Sequence, residues 1–313
     1  MILLDLIIVL VSIFILLKSS EYFLKSAGKI AHDLKISEFI IGLTLVSIGT
    51  SIPELVTSII AALEKNTGII IGTIVGSNIA NIGLILGIGS VLTIITVKKE
   101  FFYRDSIFLI AISLLFYILS LDRVISWTEG LVFLLMFLAY IYILYQTRKK
   151  GRYTKFLGHL NTTTFLHNIT IFFVSLAFLL LSAKFTVDYA VKLATELGLR
   201  QEFIGLTLIA IGTSLPELAV TITSARKHMS DILLGNLIGS NIVNILLVIG
   251  ISSLITPIQL TTKILLFSMP VMLFITLLLL GFISKNWLIR SLQGIVFLFI
   301  YLIYIVLLIL LEL

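Results

Sequence analysis

GLTLVSIGTSIPE, residues 42–54, returns almost letter for letter as GLTLIAIGTSLPE, residues 205–217. Both copies are apolar, yet each ends on a helix-breaking proline (Pro53, Pro216) and a carboxylate (Glu54, Glu217). Working outward, GTIVGSNIANI (72–82) returns as GNLIGSNIVNI (235–245), again 163 residues on. The chain therefore reads as a duplication, and the duplicated part holds its most polar apolar segments.

The surroundings of these segments define the solvent. The chain has 313 residues, of which 59% are hydrophobic and 12% charged, with a mean hydropathy of +1.19. Such a composition excludes a soluble globular domain and points to an all-α integral membrane protein. There is no cysteine, so disulfides and thiolate chemistry are excluded. The start, MILLDLIIVL, lacks a basic n-region and a small-residue cleavage site, and reads as a retained first helix. No long soluble segment offers room for a separate catalytic domain.

A bilayer crossing needs about 20 mostly apolar residues. Ten stretches qualify: roughly 2–24, 37–63, 69–95, 105–121, 126–146, 168–192, 202–225, 231–255, 264–283 and 288–311. Each repeat holds five of them, an odd number, so the second copy enters the membrane inverted. The expected units are a first repeat (1–146), a basic loop (147–167) and a second repeat (168–313). Basic residues gather after alternate spans: Lys25, Lys29 and Lys35; Lys98, Lys99 and Arg104; Arg148, Lys149, Lys150, Arg152 and Lys155; Arg226 and Lys227; Lys285 and Arg290. The opposite loops carry only Lys65, Arg123, Arg200 and Lys263. This asymmetry predicts a multi-pass cell-membrane protein with both termini outside and the 147–167 loop in the cytoplasm, against anionic headgroups. The sequons at Asn161 and Asn168 then face the cytoplasm and read as chance matches.

Pro53 lacks an amide hydrogen and should free carbonyls near Ser47–Gly49. Irregular backbone survives at membrane depth only in protein or beside a watery cavity. Thr50, Ser51 and Glu54 gather on one side, as do Ser77 and Asn81; Thr213, Ser214, Glu217, Ser240 and Asn244 are their counterparts. All are hard oxygen donors, suited to Na⁺ and Ca²⁺, without the histidine or cysteine of a zinc or copper site. A lone intramembrane glutamate, or a serine bonded to its own helix, can be purely structural. A carboxylate at the bilayer centre costs about 2.5–3.5 kcal/mol, and packing does not explain the same cost incurred twice at one offset.

Gly72 with Gly76, and Gly235 with Gly239, read as close helix contacts. Asn78 and Asn241 read as caps or cross-links outside the site. Glu21 with Lys25 and Lys184 with Asp188 read as structural pairs. The aromatics read as lipid-facing surface and interfacial anchors. No phosphate loop, HExxH motif or nucleophile–base pair appears, so the reading is not an enzyme, with no cofactor, no nucleic-acid partner and no obligate protein partner.

At GTSIPE with GSNIAN, and GTSLPE with GSNIVN, the chain resembles the cation/Ca²⁺ exchanger superfamily, and within it the prokaryotic Na⁺/Ca²⁺ exchangers. The resemblance spans nearly the whole chain. It implies ten helices in two inverted halves and four clustered ion sites. Glu54 and Glu217 would hold Ca²⁺ and share Na⁺; Thr50 and Thr213 would add backbone and hydroxyl oxygens. Ser51, Ser214, Ser77 and Ser240 would complete Na⁺ sites, with carbonyls of Ser47 and Ala210, and Asn81 and Asn244 would line the centre. It also implies that spans 1 and 6 slide across the rest to alternate access. Some relatives, including the K⁺-dependent branch, carry aspartate where Asn244 stands, which weighs against K⁺ co-transport. The H⁺/Ca²⁺ branch differs at Thr50 and lacks the proline, which leaves proton coupling as the alternative. A passive cation channel is a third reading. The expectation is an electrogenic antiporter that exchanges Na⁺ for Ca²⁺.

Overall fold

Pro53 and Pro216 each sit in the first turn of a helix, where a missing amide hydrogen breaks no intrahelical bond. Ser51 and Ser214 precede them with nearly the same backbone, φ −85°, ψ 8° and φ −91°, ψ 8°. The duplicated motif thus starts a helix in the same way twice. A computed structural model describes residues 2–150, 162–196 and 212–312. In it α1 (Ile2–Asp33) is followed by α2 (Glu38–Thr50) and α3 (Ile52–Leu63), which meet at a 44° bend. Next come α4 (Thr67–Leu92), α5 (Lys99–Leu119) and α6 (Trp127–Lys150). The later helices are α7 (Thr162–Glu196), α8 (Leu215–Arg226), α9 (Ser230–Ile255), α10 (Ile264–Asn286) and α11 (Ser291–Glu312). Among the described residues eight helices are long and apolar enough to cross a membrane, nine with the bent pair. The chain is a multi-pass integral membrane protein. Of the expected span 202–225, residues 202–211 lie outside the described residues.

Two short antiparallel pairings join linkers of different halves. β1 (Ile95–Thr96) pairs with β4 (Leu288–Ile289), and β2 (Val124–Ile125) with β3 (Ile258–Gln259). Lys98 reaches Asp231 at 2.5 Å, which brings the 227–231 turn to the β1–β4 face. The linkers after spans 3, 7 and 9 therefore share one face, and those after spans 4 and 8 share another. That is the grouping their lysine and arginine content suggested.

The core is double. One apolar cluster runs through α4, α5, α6, α9, α10 and α11, including Ile74, Ile112, Phe133, Ile245, Met272 and Phe297. A second is built by α1 and α7 with parts of α2, α8 and α9: Phe23, Leu24, Ala27, Phe172, Leu179 and Val220 belong to it. Down α1 the buried polar residues recur every seventh position, Asp5, Ser12, Ser19 and Ser26. Asn168, Ser175 and Ser182 do the same on α7. A seven-residue seam of small side chains suits two long helices packed at a shallow left-handed crossing. Hydroxyls of the seam bond within their own helices: Ser26 Oγ donates to the Phe23 carbonyl at 2.9 Å and Ser182 Oγ to Phe178 at 2.6 Å.

Two expectations need correction. The first and sixth spans were read as 2–24 and 168–192, but α1 continues to Asp33 and α7 covers 162–196. Buried Ala27, Ile30 and Ala31 extend the packed stripe of α1 beyond its uniformly apolar part, so Lys25 and Lys29 lie on a helix and not in a loop. Glu21 pairs with Lys18 at 3.1 Å and with Lys227, the residue that caps α8, at 3.5 Å, not with Lys25. Asn168 is buried and donates to Asp33 Oδ2 at 3.2 Å, which agrees with reading its sequon as a chance match.

Candidate cation-binding site

The two helix starts meet α4 and α9 where both are most polar. Gly235 and Gly239 allow the approach of α9 to α2. A Cβ on Gly239 would stand 2.5 Å from the Leu43 carbonyl oxygen and 2.6 Å from Ser47 Oγ. This bears out the close contact read from the glycine pair of the second half. Around Gly72 and Gly76 no described atom lies within 4 Å of such a Cβ.

Nine proposed ligand side chains are buried there: Thr50, Ser51, Glu54, Ser77, Ser214, Glu217, Ser240 and the pair Asn81 and Asn244 at its edge. Ser77 Oγ lies 3.3 Å from Glu54 Oε1, and Ser51 Oγ and Ser240 Oγ each lie 3.4 Å from Glu217 Oε1. Ser214 Oγ is 3.3 Å from Ser77 Oγ, and Thr50 Oγ1 is 3.4 Å from Ser240 Oγ. Glu54 also interacts with Thr213 and Glu217 with Thr50, so each carboxylate is met by the threonine of the other half.

These separations exceed the roughly 2.7–2.8 Å of an ordinary O–H···O bond. They match another geometry. Oxygens around a cation at about 2.3–2.6 Å, in an octahedron, stand about 3.3–3.7 Å apart along its edges. The second carboxylate oxygens, Glu54 Oε2 and Glu217 Oε2, are buried without any hydrogen-bond partner among the described residues. Buried carboxylate oxygens without a donor are costly unless a cation meets them.

The amides form a second layer. Asn81 Nδ2 donates to Asn241 Oδ1 at 2.9 Å, and Asn244 Nδ2 donates to Asn78 Oδ1 at 3.0 Å. Asn78 and Asn241 thus cross-link α4 to α9. Asn81 and Asn244 each turn the amide nitrogen toward an asparagine of the other half, and their own oxygens, Oδ1 in each, are buried and have no partner among the described residues. Both residues open a wider π-helical turn, Asn81–Leu86 and Asn244–Val248, of the kind often found at functional sites.

Two expected carbonyl donors differ in standing. Ala210 lies outside the described residues. The Ser47 carbonyl accepts the Ser51 amide at 3.0 Å and Thr50 Oγ1 at 3.3 Å, while Ser47 Oγ donates to the Leu43 carbonyl at 2.7 Å. Sequence reasoning missed Asn236, which is fully buried and accepts from Thr50 Oγ1 at 3.2 Å. Its counterpart in the first repeat is Thr73, and the mismatch hid it.

Comparisons with known proteins agree with this geometry. A family model described as sodium/calcium exchanger protein matches residues 4–146 and 167–310. The sodium/calcium exchanger MaX1 of Methanosarcina acetivorans is 37% identical, covering 98% of this chain and 99% of the relative. The putative antiporter CaxA of Alkalimonas amylolytica is 38% identical over 80% of this chain and 81% of its own. A solved structure of the sodium–calcium exchanger NCX_Mj, soaked with Na⁺, superposes with a TM-score of 0.86 at 32% identity, covering 98% and 99% of the two chains. A duplicated helix start, a shared oxygen cage and matches along the whole chain lead to one conclusion: this protein belongs to the sodium/calcium exchanger family.

Proposed function

We propose that the chain is a Na⁺/Ca²⁺ antiporter that expels Ca²⁺ down the sodium gradient. The observation that carries this reading is the pair of buried glutamates, each with one oxygen lacking a donor, inside a cage of hydroxyl and amide oxygens. Two carboxylates neutralise one Ca²⁺, and the same oxygens hold Na⁺ in its place. Competition for shared ligands couples the two ions. Glu54 and Glu217 bind both ions; Thr50, Thr213, Ser51, Ser214, Ser77 and Ser240 complete the Na⁺ positions. The carbonyls of Ser47 and Ala210 contribute, and Asn81 and Asn244 line the centre. Three Na⁺ against two negative charges would make the cycle electrogenic.

The proposed architecture is ten helices in two inverted repeats, 1–146 and 168–313, joined by the basic loop 147–167, with both termini outside. Access alternates as α1 and α7 move together across the remaining helices. Their apolar cluster is distinct from the main core and seats them on parts of α2, α8 and α9, and serines of their seam bond within their own helices; both features support a body that can slide over those helices without breaking the main core.

The test is ⁴⁵Ca²⁺ uptake into Na⁺-loaded proteoliposomes diluted into Na⁺-free medium, beside a pH-gradient control. Uptake that needs internal Na⁺ and ignores the pH gradient is the expected result. Uptake driven by protons alone would reassign the glutamates as proton carriers.

A further inference from the structure

Thr50 can serve a cation only if its proton is held elsewhere, because a hydroxyl ligates through its lone pairs. Besides the Glu217 carboxylate, which Ser51 and Ser240 also meet and which belongs to the cage itself, three acceptors stand near that proton: Asn236 Oδ1 at 3.2 Å, the Ser47 carbonyl at 3.3 Å and Ser240 Oγ at 3.4 Å. The Ser47 carbonyl already accepts the Ser51 amide at 3.0 Å, and Ser240 Oγ is itself 3.4 Å from Glu217 Oε1. Asn236 Oδ1 is the acceptor without another claim among the described contacts. Asn236 is fully buried on α9, and its amide nitrogen has no partner among the described residues. Leaving a buried amide half-satisfied costs stability. The first half avoids that cost, because the equivalent residue, Thr73, is smaller and half-buried.

We infer that Asn236 is a positioning residue that holds the Thr50 proton away from the cage and so sets the affinity of the site for Na⁺. The inference rests on the Na⁺-coupled reading above. A monovalent ion depends on correctly turned neutral oxygens, whereas Ca²⁺ takes most of its attraction from two carboxylates. Losing Asn236 should therefore weaken Na⁺ far more than Ca²⁺. It also makes the two halves unequal: Thr50 is oriented by an amide, and Thr213 has only Thr73 at the matching place.

The experiment uses the purified full chain and follows thermal stabilisation by Na⁺ alone and by Ca²⁺ alone. The variants are Asn236→Leu, Asn236→Thr, Thr50→Val and the Asn236→Leu/Thr50→Val pair. Losing one hydrogen bond predicts a rise of about fivefold or more in half-saturating Na⁺ for Asn236→Leu. Half-saturating Ca²⁺ should stay within about twofold, and the Leu and Val effects should not add, since both act through one hydroxyl. Asn236→Thr gives the same direction if the leucine variant does not fold. Equal weakening of both ions, additive effects, or unchanged Na⁺ affinity would overturn the inference while leaving Na⁺ coupling intact. A wild-type protein stabilised by Ca²⁺ but indifferent to Na⁺ would overturn the Na⁺ reading and the inference with it.

Discussion

At the scale of single residues, the site depends on two charges that nothing else in the cage replaces. Glu54→Gln or Glu217→Gln keeps the volume and removes half of the negative charge. Breaking a buried charge pair costs roughly 3–5 kcal/mol, so Ca²⁺ affinity should fall by about 100-fold or more. Exchange in proteoliposomes should be nearly lost, and full activity in either variant would remove these residues from the site. Asn244→Asp tests the amide layer. The carboxylate cannot donate to Asn78 Oδ1, now 3.0 Å from Asn244 Nδ2, so two acceptors would face each other. The ion-free protein should lose about 1–3 kcal/mol and regain it with Ca²⁺, read from melting curves with and without the ion. A variant that melts like the wild type without Ca²⁺ would deny the hydrogen bond its role. The carboxylates, hydroxyls and Asn81 and Asn244 were legible in the sequence because duplication isolates them from the apolar background. Asn236 was not, since comparing the halves rewards identity and this position differs.

At the scale of elements, the helix starts were legible because proline acts locally and identically in both copies. The length of α1 was not legible. An apolar count stops short of Lys25, whereas the helix continues on the strength of Phe23, Ala27 and Ile30, buried against neighbours that no local window contains. The partners of Glu21 were misread for the same reason: helical spacing offered Lys25, and packing supplied Lys227 from another element. The glycine contact of α9 with α2 is an element-level constraint with a consequence for the site. In Gly239→Ala the new methyl meets the Leu43 carbonyl and Ser47. Because backbone cannot yield as a flexible side chain does, overpacking of about 1–3 kcal/mol is expected. Melting in detergent should fall, and Ca²⁺ affinity should fall with it, since α2 carries Thr50 and leads directly into Ser51. An alanine variant with unchanged melting and unchanged Ca²⁺ affinity would show that α2 can retreat without disturbing the cage.

At the scale of the molecule, one apolar cluster forms the larger core, and the second seats α1 and α7 on parts of α2, α8 and α9. Two polar contacts tie α1 to α8 and its C-terminal turn near the β1–β4 face. Ser20 Oγ meets Thr223 Oγ1 at 2.5 Å, and Glu21 reaches Lys227 at 3.5 Å. On the opposite side of the body, Lys192 binds Asp5 at 2.9 Å, a tie between α7 and α1 themselves. If α1 and α7 move as one, the first set must break in each cycle and the second need not. The chain has no cysteine, so a Ser20→Cys/Thr223→Cys pair introduces the only thiols, at positions whose side chains already touch. Oxidation should stop ⁴⁵Ca²⁺ exchange and reduction should restore it, because a disulfide is far stronger than the two contacts it replaces. Ca²⁺ binding should persist in the oxidised protein, since the cage lies within α2, α3, α4, α8 and α9 and no ligand has been altered. Full exchange by verifiably cross-linked protein would mean that α1 stays on α8 throughout the cycle, and the moving boundary would then have to lie elsewhere.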